Sequence, residues 1–482
     1  MYLSHLYPTP KDFTENESER FFFGARVTAR VSGLSPLCAQ RVKTLWQRFS
    51  CGASELELIP GEDGFRFAVG ADSKARLGAG AHAGDRYALF ADGSGLSVEA
   101  VDEASLMHGI ETLVQLICPE NLGEGTERFS VAAAEAHDAP AIPLRAVHFC
   151  VFPDTKLYNI EKAIHLAGFL KMTHVILEFW GTFPYECEPA LAWKDRAFTK
   201  AELKTLVDLA KSYGMEVIPM SNQFGHATQS RAAFGRHVLL NRDLRLSLLF
   251  EPEGWTWCLS NPDTYKLLGE MRAELIDFCG EGGYFHLGFD EAYSFATCPR
   301  CRSRVPHELL AEFLNRIAED VCAAGRRPIV WHDQFLRRSD FGDGPIVANG
   351  DNKNTAAALD LLDRRIIMAD WQYDYRDGFN VTTALLMEKG FDTVVCPWDN
   401  RENIRSLSAD AKKLGAYGII LTTWDHLPVW LRDAAFAAGC VWGEDTGYPP
   451  LYGADNATLL RKLYDAEGSF ERSGWNLNEV LQ

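Results

Sequence analysis

Between Leu144 and about residue 445 the chain repeats one pattern eight times: a short apolar run, then a stretch with helical spacing. The runs are Leu144–Val151, His174–Phe179, Glu216–Met220, Tyr284–Gly288, Pro328–Trp331, Ile366–Trp371, Thr393–Pro397 and Gly418–Thr423. Helical patterns such as Ile160–Leu170 and Lys200–Tyr213 stand between most of them. Eight strand–helix units in roughly 300 residues predict an α/β fold, a (β/α)8 TIM barrel. The alternative is an open doubly wound sheet, and no glycine fingerprint of the dinucleotide-binding type accompanies it.

The chain has 482 residues, which leaves room for a second unit ahead of the barrel. Residues 1–138 read as a small N-terminal α+β domain. Phe21-Phe22-Phe23, Ala25–Val31, Glu55–Ile59 and Phe65–Val69 have strand character. Ser35-Pro36 opens a helix with Leu37, Val42, Leu45, Trp46 and Phe49 on its apolar side. A hairpin is expected around Asp92-Gly93, followed by a helix from Glu103 to Ile117. Leu77–Gly84 is a Gly/Ala-rich loop with no helix start behind it, so it has no phosphate-binding reading. Two prolines in Asp138-Ala-Pro140-Ala-Ile-Pro143 mark a linker. The barrel then occupies 139–450, and 451–482 is expected to be a helical tail packed on it.

In a barrel the chemistry sits where the strands end. Here those ends carry Phe179-Trp180, Asn222 to His226, Asp290-Glu291, Trp331-His332-Asp333, Trp371-Gln372, Trp398-Asp399 and Trp424-Asp425. A single tryptophan is more often core than ligand platform. Tryptophan at or near five equivalent ends is harder to explain by packing, and aromatic walls with a few acids suit a sugar ring. Asp290 and Glu291 follow the apolar run Gly282-Gly283-Tyr284-Phe285-His286-Leu287-Gly288-Phe289. Strand side chains alternate in direction, so both acids reach one cavity only if the backbone turns there. Two carboxyls in unlike surroundings are the equipment for acid/base work at a glycosidic bond.

Composition narrows the partners. Net charge is −18, against a nucleic-acid or anionic-membrane partner and compatible with a small neutral carbohydrate or glycoconjugate. No stretch reaches membrane-spanning length. Met1-Tyr2-Leu3-Ser4-His5 lacks the basic and apolar segments of a signal peptide, so a cytoplasmic location and reduced thiols are expected for the 12 cysteines. Nothing in the sequence speaks to oligomeric state.

His286-x-Gly288-x-Asp290-Glu291 resembles the signature of glycoside hydrolase family 20, the exo-acting β-N-acetylhexosaminidases. The N-terminal block, with Gly109-Ile-Glu-Thr112-Leu113-Val-Gln115-Leu116, is similar to the small domain before that family's barrel, and the likeness runs to the eighth strand. The resemblance implies retaining hydrolysis of a terminal β-linked GlcNAc or GalNAc with substrate assistance, through an oxazolinium intermediate and without a required cofactor. Glu291 would be the general acid and then the base, and Asp290 would orient the acetamide and raise the pKa of Glu291. Arg145 matches an arginine at the start of the first strand, implied to bind sugar hydroxyls; a salt bridge at the barrel base is the equal alternative. His226, in Gln223-Phe-Gly225-His226, matches a Gly-His after strand three that supports the acid. Trp331, Trp371 and Trp424 match tryptophans that wall the sugar pocket.

The chain departs from that pattern in places. Ala146 and Cys150 stand where Gly and Asp are usual, Trp398-Asp399-Asn400 stands where a tyrosine normally contacts the acetamide, and Asp425 or His426 replaces a glutamate. These changes put the exact sugar in question, a galacto-configured or sulfated one included. A plain β-glycosidase would instead need a carboxylate nucleophile about 5 Å from the acid, with Glu178 or Asp333 as candidates. A non-catalytic sugar-binding barrel is the third reading. Cys298-Pro-Arg-Cys301 is half a structural zinc site with no second half at the expected spacing, though Cys187, Cys258 or a histidine could complete it through the fold; two free thiols is the plainer reading.

Overall fold

A computed structural model describes residues 6–61, 64–69, 86–121, 127–193, 195–227, 244–342, 344–376, 380–424, 426–443 and 463. The Leu77–Gly84 loop, Asp425 and the 451–482 tail apart from Leu463 lie outside the described residues.

Eight strands come first: β1 (Asp12–Phe23), β2 (Arg26–Ser32), β3 (Glu55–Pro60), β4 (Arg66–Val69), β5 (Tyr87–Asp92), β6 (Gly95–Ala100), β7 (Cys118–Asn121) and β8 (Glu127–Asp138). They form one mixed sheet in the order β1-β8-β5-β6-β4-β2-β3, with β7 on β8. β5 and β6 make the expected hairpin, turning through Gly93-Ser94 while the Asp92 carboxylate accepts the amides of Ser94 and Gly95. The helix Pro36–Phe49 starts as read, with the Ser35 hydroxyl accepting the Cys38 amide. Its buried side is Cys38, Val42, Leu45, Trp46 and Phe49; Leu37, expected there, faces solvent because it sits one residue out of the stripe. The helix Glu103–Gln115 lies on the sheet at Gly109, where a Cβ would strike Tyr87 and Val98.

The linker residue Asp138 is buried and joins the sheet to the barrel. Its carboxylate accepts from the Tyr87 hydroxyl at 2.8 Å and the Trp442 indole at 3.0 Å, and faces the Lys171 ammonium at 3.5 Å.

The barrel forms as expected: β9 (Leu144–Val151), β10 (His174–Phe179), β11 (Glu216–Met220), β12 (Tyr284–His286), β13 (Arg327–Trp331), β14 (Ile367–Trp371), β15 (Thr393–Cys396) and β16 (Gly418–Thr422) are parallel, and β16 closes on β9. All eight residues of β9 are buried, as are all of β14 and β16, which is the composition of strands covered on both faces. Most crossovers carry α-helices; the one after β13 has 3-10 turns at Asn352–Leu361 instead. β12 is shorter than the apolar run suggested. Gly288 (φ 71°) and Phe289 (φ 82°) leave extended geometry, and that early turn is what positions the acids.

Candidate active site

The end of β12 is built from unusual backbone. Phe289 and Glu291 both have positive φ, uncommon for residues with side chains and costly unless the surroundings enforce it. Gly288 is required, since a Cβ there would overlap the Asn222 carboxamide. His286 acts from below: its Nδ1 accepts the Gly288 amide at 3.1 Å. Burial and the neighbouring His148 hold it well below its ordinary pKa, so it is neutral.

The turn sends both acids into one enclosure. Asp290 and Glu291 are buried, and His226 Nε2 stands between them, 3.4 Å from Asp290 Oδ2 and 3.1 Å from Glu291 Oε2. Burial disfavours charge on His226, but Asp290 and Glu291 outweigh it and hold the imidazole well above its usual value. Burial pushes Asp290 up to about 6; His226 opposes the rise, while Asp333 and Glu291 add to it. Asp290 Oδ1 is buried with no hydrogen-bond partner among the described residues. An unpaired buried acceptor costs stability, and such costs are characteristic of sites that await a donor.

The backbone of Glu291 is clamped on both sides. Its amide donates to Asp333 Oδ2 at 3.0 Å, and its carbonyl accepts the Trp255 indole N–H. Asp333 is held in turn by the side chains of Gln334 and Asn349. Trp255 also lies on His226, with ring centroids 4.7 Å apart, and Trp180 meets His226 edge-on.

The ends of β14 to β16 supply an aromatic wall. Trp371, Tyr373 and Trp398 follow one another at 5.1 and 5.2 Å, and Trp398 stacks on His426 at 4.9 Å. The Trp424 indole donates to the Tyr373 hydroxyl at 2.7 Å. Burial pushes the Tyr373 phenol well above its ordinary value, with a contribution from the charge of Asp290, so it is a neutral hydrogen-bonding group.

Most of the sequence-predicted residues meet here. Asp290, Glu291, His226, Trp371, Trp398 and Trp424 share the C-terminal end, and Asp399 pairs with His426 at 2.6 Å on the rim. Trp331 is fully enclosed, packed against His286 at 4.3 Å and Trp424 at 5.7 Å; it props Trp424 from below and forms no open wall. Arg145 is at the opposite end of the barrel. Its guanidinium donates to the carbonyls of Ile142, Pro143 and Lys171 and lies over the Trp442 ring, because the second residue of a barrel strand belongs to the base. It therefore cannot bind sugar hydroxyls at the strands' far ends. Of the alternative nucleophiles, Glu178 has both oxygens engaged, by His148 and Asn222, and Asp333 holds the Glu291 amide.

Sequence reading missed Trp255 and Tyr373. Trp255 comes from a long connection with no periodic signal. Tyr373 was legible in principle, two residues beyond Trp371 and hence on the same side of an extended segment.

A family model described as "Glycosyl hydrolase family 20, catalytic domain" matches residues 183–424. The chain belongs to glycosyl hydrolase family 20. It is 22% identical over 378 residues to the Beta-hexosaminidase of Porphyromonas gingivalis, covering 69% of this chain and 45% of that protein. It is 24% identical over 306 residues to Hexosaminidase D of Homo sapiens, covering 57% of this chain and 59% of the human protein. The chain thus spans about half the length of these curated relatives. In fold it is similar to the beta-N-acetylhexosaminidase from Bacteroides fragilis (TM-score 0.70, 18% identity, 98% of this chain and 96% of that one). The Streptomyces plicatus N-acetyl-beta-hexosaminidase in complex with Thio-NAglucal gives a TM-score of 0.68 at 18% identity, over 97% and 96% of the two chains. No helix among the described residues is long and apolar enough to cross a membrane.

Proposed function

We propose that the chain is a retaining exo-glycosidase that removes a terminal β-linked N-acetylhexosamine with help from the substrate's own acetamide. The observation that carries the reading is Asp290 Oδ1, a buried carboxylate oxygen without a donor among the described residues, beside a second buried acid. An acetamide N–H is the donor it lacks. Held there, the acetamide carbonyl oxygen attacks the anomeric carbon as the bond to the leaving oxygen breaks, and Glu291 delivers its proton to that oxygen. The cyclic cation formed sits against ionised Asp290. Water then adds to the anomeric carbon, its proton passes to Glu291, and the bond to the acetamide oxygen breaks. The Tyr373 hydroxyl, which accepts the Trp424 indole, has a proton to offer the acetamide oxygen, so we give it the part of the missing tyrosine, at the end of β14. Trp371 and Trp424 flank the methyl group and the sugar face. Glu178 has both oxygens engaged, which disfavours it as the nucleophile of a plain β-glycosidase; Asp333 holds the Glu291 amide through Oδ2, while its Oδ1, like Asp290 Oδ1, has no partner among the described residues.

The test is turnover of a chromogenic β-N-acetylglucosaminide, its galacto epimer and the matching plain β-glucoside. Hydrolysis confined to the acetamido sugars is expected, with Glu291→Gln slower by at least ~100-fold on a poor leaving group. Equal turnover of the plain glucoside, or none of either acetamido sugar, overturns the reading.

A further inference from the structure

We propose that Cys258, Cys298 and Cys301 form a structural zinc site that braces the two segments flanking Glu291. The sequence offered the Cys298-Pro-Arg-Cys301 half with Cys187, Cys258 or a histidine as possible partners; the fold selects Cys258, from a connection about 40 residues away. Cys258 Sγ lies 3.4 Å from Cys298 Sγ and 3.6 Å from Cys301 Sγ, and the three sulfurs fall within 4.8 Å of one another. A tetrahedral zinc ion with bonds of about 2.3 Å holds its sulfur ligands just under 4 Å apart, whereas a disulfide needs about 2.05 Å. All three side chains are buried.

The surroundings are those of a thiolate cluster. The Cys301 amide donates to Cys298 Sγ at 3.3 Å, the contact a C-x-x-C turn makes when its first sulfur carries charge. Glu251 fixes that turn, its Oε2 accepting the amides of Thr297 at 2.9 Å and Cys298 at 2.6 Å. Ser260 Oγ, 3.3 Å from Cys301 Sγ, stands beside the fourth corner, which its hydroxyl or a water would fill.

The ion would do no chemistry on substrate. Cys258 lies three residues after Trp255, whose indole holds the Glu291 carbonyl, and Cys298 lies seven residues after Glu291 itself. One ion therefore ties the segment that carries the acid to the segment that clamps it. The inference stands on thiol geometry and is independent of which sugar, if any, the cavity takes.

The experiment is elemental analysis of the full chain, purified reduced and without chelator from zinc-supplemented medium. About one zinc per chain is expected in the wild type and equally in Glu291→Gln, which separates this result from any failure of the glycosidase reading. Cys298→Ser and Cys301→Ser should lose the zinc, while Cys322→Ser, away from the cluster, keeps it. Should the cluster variants fail to fold, cobalt replacement in the wild type supplies the readout: thiolate-to-cobalt charge transfer with the intense d–d bands of a tetrahedral site. A zinc-free wild type lacking those cobalt bands, or a disulfide between any two of the three cysteines in protein kept reduced, overturns the proposal.

Discussion

Gly225 lies directly against the carbonyl of Asp290, so close that a Cβ on it would overlap that oxygen. The end of β11 and the end of β12 can approach this far only without a side chain at 225, and the approach brings His226 between the two acids. Gly225→Ala must push the segments apart. The chain is expected to fold, since only a local loop contact is lost, but kcat/KM should fall about 100-fold, the effect of a misplacement near 1 Å. Steady-state kinetics beside a thermal melt checks it; full activity would show that the contact does not position the acids.

The pH profile follows from Asp290. Its ordinary value is 3.8, and burial lifts it to about 6 in the folded chain. The ionised form is the one that stabilises a cationic intermediate, so kcat/KM should drop on the acid side with an apparent pKa near 6, not near 4. The sign for stability is the reverse. A group bound more tightly to its proton in the native state contributes stability below its unfolded pKa, and that contribution is lost as pH rises from about 4 through 6. His226, held above its ordinary value, acts in the same direction at higher pH. Melting temperatures of wild type and Asp290→Asn should therefore diverge from pH 4 to pH 7, the variant gaining. A constant difference across that range would rule out the shift.

Arg145 separates a fold role from a binding role. Its guanidinium pairs with three backbone carbonyls at the barrel base, far along β9 from the acids. Arg145→Met takes the donor from those carbonyls, two of them (Ile142 and Lys171) on buried residues, a loss on the order of 3 kcal/mol. The melting temperature should fall while KM of the folded fraction stays unchanged. A raised KM with normal stability would reinstate the arginine as a substrate ligand.

The barrel was legible because its signal is local: eight apolar runs of strand length, each recovered to within about two residues at either end. The acids were legible because a turn straight after a buried strand leaves two adjacent carboxyls little choice but the cavity. Arg145 misled because residue type does not reveal which end of a strand a side chain serves. Leu37 and Cys38 show the same limit at the scale of one helical step. Trp255 was invisible, and Cys258 was legible only as one of several possible partners of the Cys298/Cys301 pair, for a different reason. They reach the site from a connection without regular periodicity, and only the closed fold brings them beside residues 290–301.

Tyr373 provides the sharpest test of how the acetamide is held. Its hydroxyl accepts the Trp424 indole proton at 2.7 Å and lies 3.4 Å from Thr422 Oγ1, so its own proton is left for that oxygen or for a substrate acetamide. The aromatic body is fixed separately, between Trp371 and Trp398. Tyr373→Phe therefore removes a donor and keeps the packing. If the hydroxyl polarises the acetamide oxygen and steadies charge on it as the ring closes, kcat should fall about 100-fold with little change in KM, as for loss of one preorganised donor. If the hydroxyl only braces Trp424, KM should rise and kcat should hold, because the sugar face would shift while the attack geometry survived. Measuring both constants for an acetamido substrate decides between them, and an unchanged pair would remove Tyr373 from the site altogether.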